Sequence, residues 1–379
     1  MAEPVWIGLA VVGAALWGGI LALPWRPWST REALDAERSG DDLGDVTVLI
    51  PARDEADVIG QTLRALGAQG HGLNVILVDD QSTDGTALAA RAAGLANLSV
   101  IEGAPLAPGW SGKLWALEQA RRELATPFAL LLDADIELAP GLIATLRAKM
   151  KDEDLGLISL MARLRMANFW EALLMPAFVY FFKLLYPFHI ANSKSSIVAA
   201  AAGGCILIET RALDAIGGFG AVRDAIIDDC ALARAVKKKG YRTWIGLSRS
   251  VVSLRRYTKL GTIWNMVARS AYTQLRYSPL LLFICTLALV VGCWLPPVGL
   301  AVFPGPLAKI VSAGAIAAMV LGYLPTLRYY GLSPAFALAM PVIGSLFLAM
   351  TWTSALRYWR GERSQWKGRS YRREGASNG

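Results

Sequence analysis

Val46-Thr47-Val48-Leu49-Ile50-Pro51-Ala52-Arg53-Asp54-Glu55 is a run of β-branched and aliphatic residues that stops at a proline and turns acidic. The same construction recurs twice. Val75-Ile76-Leu77-Val78 runs into Asp79-Asp80-Gln81-Ser82-Thr83-Asp84-Gly85-Thr86, and Phe128-Ala129-Leu130-Leu131-Leu132 runs into Asp133-Ala134-Asp135. Short apolar runs without polar alternation read as strands buried on both faces, the pattern of a parallel sheet. Ala-rich helical stretches at 87–93 and 114–124 lie between them. Strands alternating with helices imply an α/β domain with a mostly parallel, Rossmann-like sheet. Such sheets take ligands at the carboxyl ends of their strands, where all three acid clusters fall.

One acid after a strand often caps a helix. Three clusters at one sheet edge concentrate like charge that calls for a cation or for hydrogen-bond donors. In Asp133-Ala134-Asp135 the carboxylates at i and i+2 project to one side of an extended chain. Such a pair suits a hard divalent cation that also grips a diphosphate and stabilises its charge on departure. Local roles compete with this reading. Asp84 reads as a helix cap, Asp54 as a helix-start acid, and one of Asp228 and Asp229 as a cap for the helix at 231–239. Gly112-Lys113 lacks the rest of a P-loop.

Outward from this centre the composition changes. Of 379 residues, 54% are hydrophobic and 18% charged, and the apolar residues gather at the two ends. Residues 5–23 form an uncharged run long enough to span a bilayer, without a basic leader or an obvious cleavage site, so a retained anchor is expected. After Pro279 come three more runs, 280–303, 307–324 and 335–356. The expected organisation is an anchor at 1–26, a linker at 27–45, the α/β domain at 46–277, transmembrane segments at 278–356 and a basic tail at 357–379. Within the domain, 168–190 reads as an interfacial helix or as one covering the sheet.

The net charge is +8, with the cations beside apolar runs: Arg26 and Arg31; Arg255, Arg256, Arg269 and Arg276; and Arg357 to Arg373. That placement suits anionic headgroups and a cytosolic domain on the inner membrane, and not nucleic acid. Three full C-terminal spans would put the basic tail outside, against the positive-inside bias. Either one run does not cross, with Lys309 and Pro296-Pro297 marking the weak ones, or the bias fails. Cys205, Cys230, Cys285 and Cys293 form no metal or redox pair, and His71 and His189 are isolated.

Pro51 to Glu55, Val78 to Thr86, Gly112-Lys113 and Asp133 to Asp135, in this order and spacing, resemble the family-2 inverting glycosyltransferases of GT-A fold. Gly203-Gly204-Cys205, Ile216-Gly217-Gly218-Phe219 and Ile227-Asp228-Asp229 continue the match over most of 46–277. Gly109 to Leu117 and Trp366 to Tyr371 resemble a narrower branch, the hopanoid-associated glycosyltransferases, related to ceramide glucosyltransferases.

The resemblance implies that Glu55 and Asp80 hold the nucleoside, with Asp80 against a uracil base and Pro51 and Arg53 beside them. It implies Lys113 on the nucleotide, Asp133 near the ribose, and Asp135 on a Mg²⁺ or Mn²⁺ ion. Asp229 would be the general base, with Gly203, Gly204, Asp228 and Arg269 on the acceptor side. The relatives' Q-x-x-R-W is reduced here to Met266-Val267-Ala268-Arg269-Ser270, in which only the arginine survives. The implied activity is transfer from a nucleotide-sugar, a UDP-sugar foremost, to a membrane-lipid hydroxyl. Two alternatives stand beside it: transfer to polyprenyl phosphate, with Arg255, Arg256 and Arg269 on the phosphate, and a non-catalytic nucleotide-sugar-binding scaffold.

Overall fold

β1 (Val46–Ala52) is buried along its whole length, which is why its sequence shows no polar alternation. The computed structural model describes residues 3–37, 41–366 and 369–372. Around β1 lie β2 (Asn74–Asp79), β3 (Leu98–Glu102), β4 (Phe128–Leu132), β5 (Ile136–Leu138), β6 (Leu155–Arg163), β7 (Cys205–Glu209) and β8 (Arg242–Ser253). They form one eight-stranded sheet in the order β3-β2-β1-β4-β7-β6-β8-β5. β1 pairs in parallel with β2 and β4, while β7 runs antiparallel to β4 and β6, and β5 antiparallel to β8. The chain builds outward from β1 to β3, then returns to place β4 on β1's other side. That reversal is the topological switch point at which open α/β sheets leave a crevice.

Helices follow the strands: α1 (Glu3–Ala22), α2 (Ala56–Gly67), α3 (Thr86–Ala92), α4 (Gly112–Arg122), α5 (Leu142–Asp152), α6 (Phe169–Leu185), α7 (Phe188–Ala191), α8 (Thr210–Ala215) and α9 (Asp228–Lys238). The C-terminal part holds α10 (Leu260–Ala268), α11 (Ala271–Gln274), α12 (Pro279–Val302), α13 (Pro306–Tyr329) and α14 (Met340–Trp359). A hairpin of β9 (Glu362–Trp366) and β10 (Arg369–Arg372) ends the described chain. Lys367 and Arg373 of the expected basic tail lie outside the described residues.

Two apolar cores cover the sheet. One is centred on Val48, Ile50, Leu63, Leu130 and Leu146, the other on Leu49, Leu117, Leu131, Ile208 and Val236. A third core belongs to the helical layer, where Trp17, Leu174, Tyr180, Met319, Tyr323, Ile343 and Met350 meet. Four helical stretches are long and apolar enough to cross a membrane: Glu3–Ala22, Pro279–Val302, Pro306–Tyr329 and Pro334–Trp359. At the two places marked as weak, α12 continues through Pro296 and Pro297, and α13 continues over Lys309. The helices approach closely at small residues, as membrane helices do. A Cβ on Gly344 would stand 2.6 Å from Cys293 Sγ, and the Trp17 indole reaches the Gly292 carbonyl at 2.7 Å.

α6 joins the sheet to this layer. Leu173 to Ala177, Val179 and Tyr180 are buried, while Phe169 and Leu185 at its two ends are exposed. Residues 29–35 of the linker are tied to the sheet and to α6. Leu34 N–H donates to Leu247 O, and Leu247 N–H to Glu32 O. The Asp35 carboxylate accepts from Arg249 N–H and Ser250 N–H at 2.6 and 3.1 Å. Lys183, 1% exposed on α6, donates to the Ser29 carbonyl.

Candidate active site

At the β1/β4 switch point opens a cavity of about 1100 Å³. β1 supplies Pro51 and, just beyond its end, Glu55; the end of β4 supplies Asp133, Ala134 and Asp135; α4 supplies Lys113; and the start of α9 supplies Asp228 and Asp229. Six carboxylates (Glu55, Asp133, Asp135, Asp224, Asp228, Asp229) and four cations (Lys113, Arg223, Arg255, Arg269) line it. The wall also has an apolar part, with Leu164, Phe178, Phe182 and Met266 from around α6 and α10.

Each of the two acids of Asp133-Ala134-Asp135 holds a cation. Lys113 Nζ lies 2.6 Å from Asp133 Oδ1 and 3.9 Å from Asp228 Oδ2. Burial opposes the Lys113 charge, but Asp133, Asp228 and Asp229 outweigh it and hold the ammonium above its usual range. Burial raises Asp133, reinforced by Asp135 and opposed by Lys113. Asp135, 6% exposed, accepts Arg255 Nε–H at 2.7 Å, while Arg255 Nη2 donates to Glu55 Oε1 at 3.1 Å. Burial works against the guanidinium charge too, and Asp135, Tyr257 and Glu55 more than restore it.

Asp229 is set by backbone. Its Oδ2 accepts Gly203 N–H at 2.9 Å and its Oδ1 accepts Cys230 N–H at 2.7 Å. Burial, then the Asp228 charge, push its pKa from 3.8 up to about 6, against the pull of those two N–H groups and Lys113. Gly203 is a close approach: a Cβ there would lie 3.2 Å from Lys113 Nζ and 3.4 Å from Asp229 Oδ2, so the lysine would have to give by a few tenths of an ångström.

Of the residues expected at the site, Pro51, Glu55, Lys113, Asp133, Asp135, Gly203, Gly204, Asp228, Asp229 and Arg269 line this cavity. Arg53 and Asp80 are not among its lining; Asp80 is 1% exposed, and Arg53 Nη1 donates to its carbonyl at 2.6 Å. Asp84 serves two helices, accepting Thr86 N–H at the start of α3 and Ala56 N–H at the start of α2. It thereby takes the helix-start role expected of Asp54, whose carboxylate accepts Thr83 N–H instead. Neither Asp228 nor Asp229 caps α9; both lie in its first turn, and Ile227 stands at the N-cap.

Sequence reasoning missed Arg255 as the partner of Asp135. The signal was long-range: Ile136, next to Asp135, pairs with Ser253, two residues before Arg255. Trp110, backed by Trp115 with ring centroids 5.3 Å apart, also lines the cavity.

The acid pair fits a divalent cation of the kind that completes its shell with substrate phosphates and water. Both side chains are hard oxygen donors on the cavity wall. Among the described residues no cluster of three acidic, His or Cys side chains forms a protein-only metal site.

A mostly parallel sheet with a switch-point cavity, an acid pair after β4 and an acid at the head of α9 define the GT-A class of glycosyltransferase fold. The chain belongs to glycosyltransferase-like family 2, whose sequence profile matches residues 44–273. It is similar to a 4,4'-diaponeurosporenoate glycosyltransferase of Staphylococcus haemolyticus, 28% identical over 130 residues, or 34% of each chain. A protein of the same name from Staphylococcus aureus is 32% identical over 109 residues, 29% of this chain and 28% of that one. The matches thus span about a third of the curated relatives' length or less. Among solved structures, the mannosyltransferase of Pyrobaculum calidifontis in complex with GDP-Man and Mn²⁺ superposes with a TM-score of 0.54 at 20% identity. That superposition covers 94% of this chain and all of the other, and it supports the fold.

Proposed function

We propose that this protein is an inverting, metal-dependent hexosyltransferase of the inner membrane. It takes sugar from a cytosolic nucleotide-sugar, a UDP-sugar foremost, and passes it to a hydroxyl of a membrane lipid, a hopanoid or similar polycycle. The observation that carries this reading is a cavity of two chemistries: paired acids and cations at the strand ends, and an apolar wall on helices that pack with the membrane-type bundle. The named acceptor of the curated relatives, 4,4'-diaponeurosporenoate, a carotenoid-like acid, supports a lipid acceptor.

In this reading Asp229 takes the proton of the acceptor hydroxyl. Its two backbone hydrogen bonds fix its direction, and a pKa near 6 makes it a stronger base than an ordinary carboxylate while leaving it ionised at neutral pH. The acceptor oxygen bonds to the anomeric carbon as the bond from that carbon to the diphosphate breaks, and one displacement inverts the configuration. Lys113 and Arg255 stand as cations beside the leaving diphosphate. A Mg²⁺ or Mn²⁺ ion held by Asp135 and Asp133 would supply Lewis-acid stabilisation of the same charge. Asp80 would meet the nucleobase, with Arg53 held beside it on the Asp80 carbonyl. Gly203 and Gly204 leave room for the acceptor, with Asp228 and Arg269 along its side. The second reading, transfer to polyprenyl phosphate, would need Arg255, Arg256 and Arg269 on the acceptor phosphate, and of these Arg255 and Arg269 line the cavity.

The test is turnover of a panel of UDP- and GDP-sugars by the membrane-embedded protein, with Mn²⁺ or Mg²⁺ and total bacterial lipid, beside Asp135→Ala and Asp229→Ala. A labelled lipid product lost in both variants is expected. Turnover of no donor, with no metal-dependent nucleotide binding, refutes the enzyme reading.

A further inference from the structure

Glu171 lies on the first turn of α6 with 0% exposure. A carboxylate removed from water needs compensating partners. Its Oε2 accepts Ala167 N–H at 2.8 Å, with Arg165 Nε at 4.0 Å, and its Oε1 accepts Tyr257 N–H at 2.8 Å. Asn168 caps the same helix, its Oδ1 accepting Glu171 N–H at 3.0 Å, and its Nδ2 donates to Tyr257 O at 3.3 Å. Both backbone polar groups of Tyr257 are therefore held by one helical turn. Capping accounts for Asn168 Oδ1 alone. It explains neither the amide Nδ2 nor the buried Glu171 oxygen, which both address a residue nearly ninety positions away in the chain.

Tyr257 lies two residues beyond Arg255, on the segment leaving β8. That segment is anchored at its other end where Leu254 N–H donates to Asp135 O at 2.7 Å. Between the anchors, Arg255 meets Asp135 and Glu55. We propose that Glu171 and Asn168 are positioning residues of the donor site: they clamp residues 254–257 so that the Arg255 guanidinium is presented to the metal-binding carboxylate and the diphosphate. The clamp rests on the donor-site reading above. It also ties the seating of α6, whose first residues Phe169 and Trp170 stand at the edge of the helical layer, to the geometry of Asp135.

The experiment uses the full chain in detergent micelles, titrated with Mn²⁺ together with UDP and, separately, GDP. Binding is followed by loss of the free-Mn²⁺ electron paramagnetic resonance signal, and donor KM and kcat are measured in parallel. Asn168→Ser keeps a capping oxygen and removes the donor to Tyr257. Glu171→Gln gives one of two backbone donors an amide in place of an acceptor. Each variant is expected to weaken Mn²⁺–nucleotide binding and raise donor KM by about 10- to 100-fold, the usual effect of disturbing groups that support a metal site. The same substitutions in an Arg255→Ala background should add little, because the path they act through is gone. An equal loss in both backgrounds, or none in either, overturns the clamp. Asp135→Asn separates the two ideas. If it abolishes binding while Asn168→Ser and Glu171→Gln leave it unchanged, the clamp alone fails. If the wild type binds neither nucleotide with Mn²⁺, the donor-site reading fails and the clamp with it.

Discussion

Asp229 ties the chemistry of the site to the stability of the fold, with opposite signs. Its pKa is raised in the folded protein from 3.8 to about 6, by burial first and by Asp228 second. Below pH 4 both folded and unfolded chains carry the proton, so this group gives no pH slope and the stability it supports is at its full value. Between pH 4 and 6 the unfolded chain releases it while the folded chain keeps it, so the stability gained by holding that proton is lost as pH rises through the folded pKa. A shift of about 2 units corresponds to a loss on the order of 3 kcal/mol, complete above about pH 7. If Asp229 is the base of the proposed function, it becomes competent over the same interval, so kcat/KM should climb to a plateau with an apparent pKa near 6. Asp229→Asn should remove both effects. Its activity should fall by about 10²- to 10⁴-fold. Its melting temperature should lose the downward slope between pH 4 and 7, leaving a pH-independent offset of about 1 kcal/mol from the backbone N–H that an amide cannot accept. The assay pairs thermal melts by intrinsic fluorescence with donor turnover, both from pH 4 to 8, on wild type and Asp229→Asn. A wild-type stability that is flat or rising over this range, with an acid limb of activity below pH 5, would refute the argument.

Other outcomes are expected from the same geometry. Gly203→Ala should displace the Lys113 ammonium from Asp133, lowering kcat about tenfold for a stability loss of about 1 kcal/mol, as read by kinetics beside melts. Mn²⁺ alone should leave the melting temperature unchanged while Mn²⁺ with UDP raises it, because the acid pair needs diphosphate oxygens to complete a site; a shift with Mn²⁺ alone would contradict this. Phe182→Ala should raise the KM for lipid acceptor while leaving the donor KM unchanged, measured with a labelled donor. Gly344→Val should cost about 1–3 kcal/mol by forcing α14 off Cys293, measured as a lowered melting temperature in detergent.

The sheet centre was legible because β1, β2 and β4 are covered on both faces, and continuous apolar runs admit few other readings. The convergence of their acids follows from strand order and was legible too. β5, three residues long and holding Glu137, has no periodicity to read, and it is the strand whose pairing brings Arg255 to Asp135. Arg255 beside an apolar segment resembled a headgroup-binding residue, since charge next to hydrophobicity reads the same whether it faces lipid or a carboxylate. Pro296-Pro297 resembled a break because proline removes a helical hydrogen bond. In α12 the close packing of α1, α13 and α14 keeps the helix continuous. Asp84 took the α2 start from Asp54 as well as keeping that of α3, because the partner of the α2 N-terminus comes from a neighbouring loop that local pattern does not contain.

The strap from Ser29 to Asp35, bound to β8 on one side and to Lys183 on the other, has a consequence for substrate choice. An enzyme on a slack leash would bob above the bilayer and meet reactive groups at many heights. Here the leash is reeled in: residues 29–35 are held against β8 and α6. Under the proposed function the protein works as a gauge: it measures how far an acceptor's hydroxyl protrudes from the lipid surface as well as what carries it. Selectivity among lipids of similar chemistry would then follow from the depth at which each one floats.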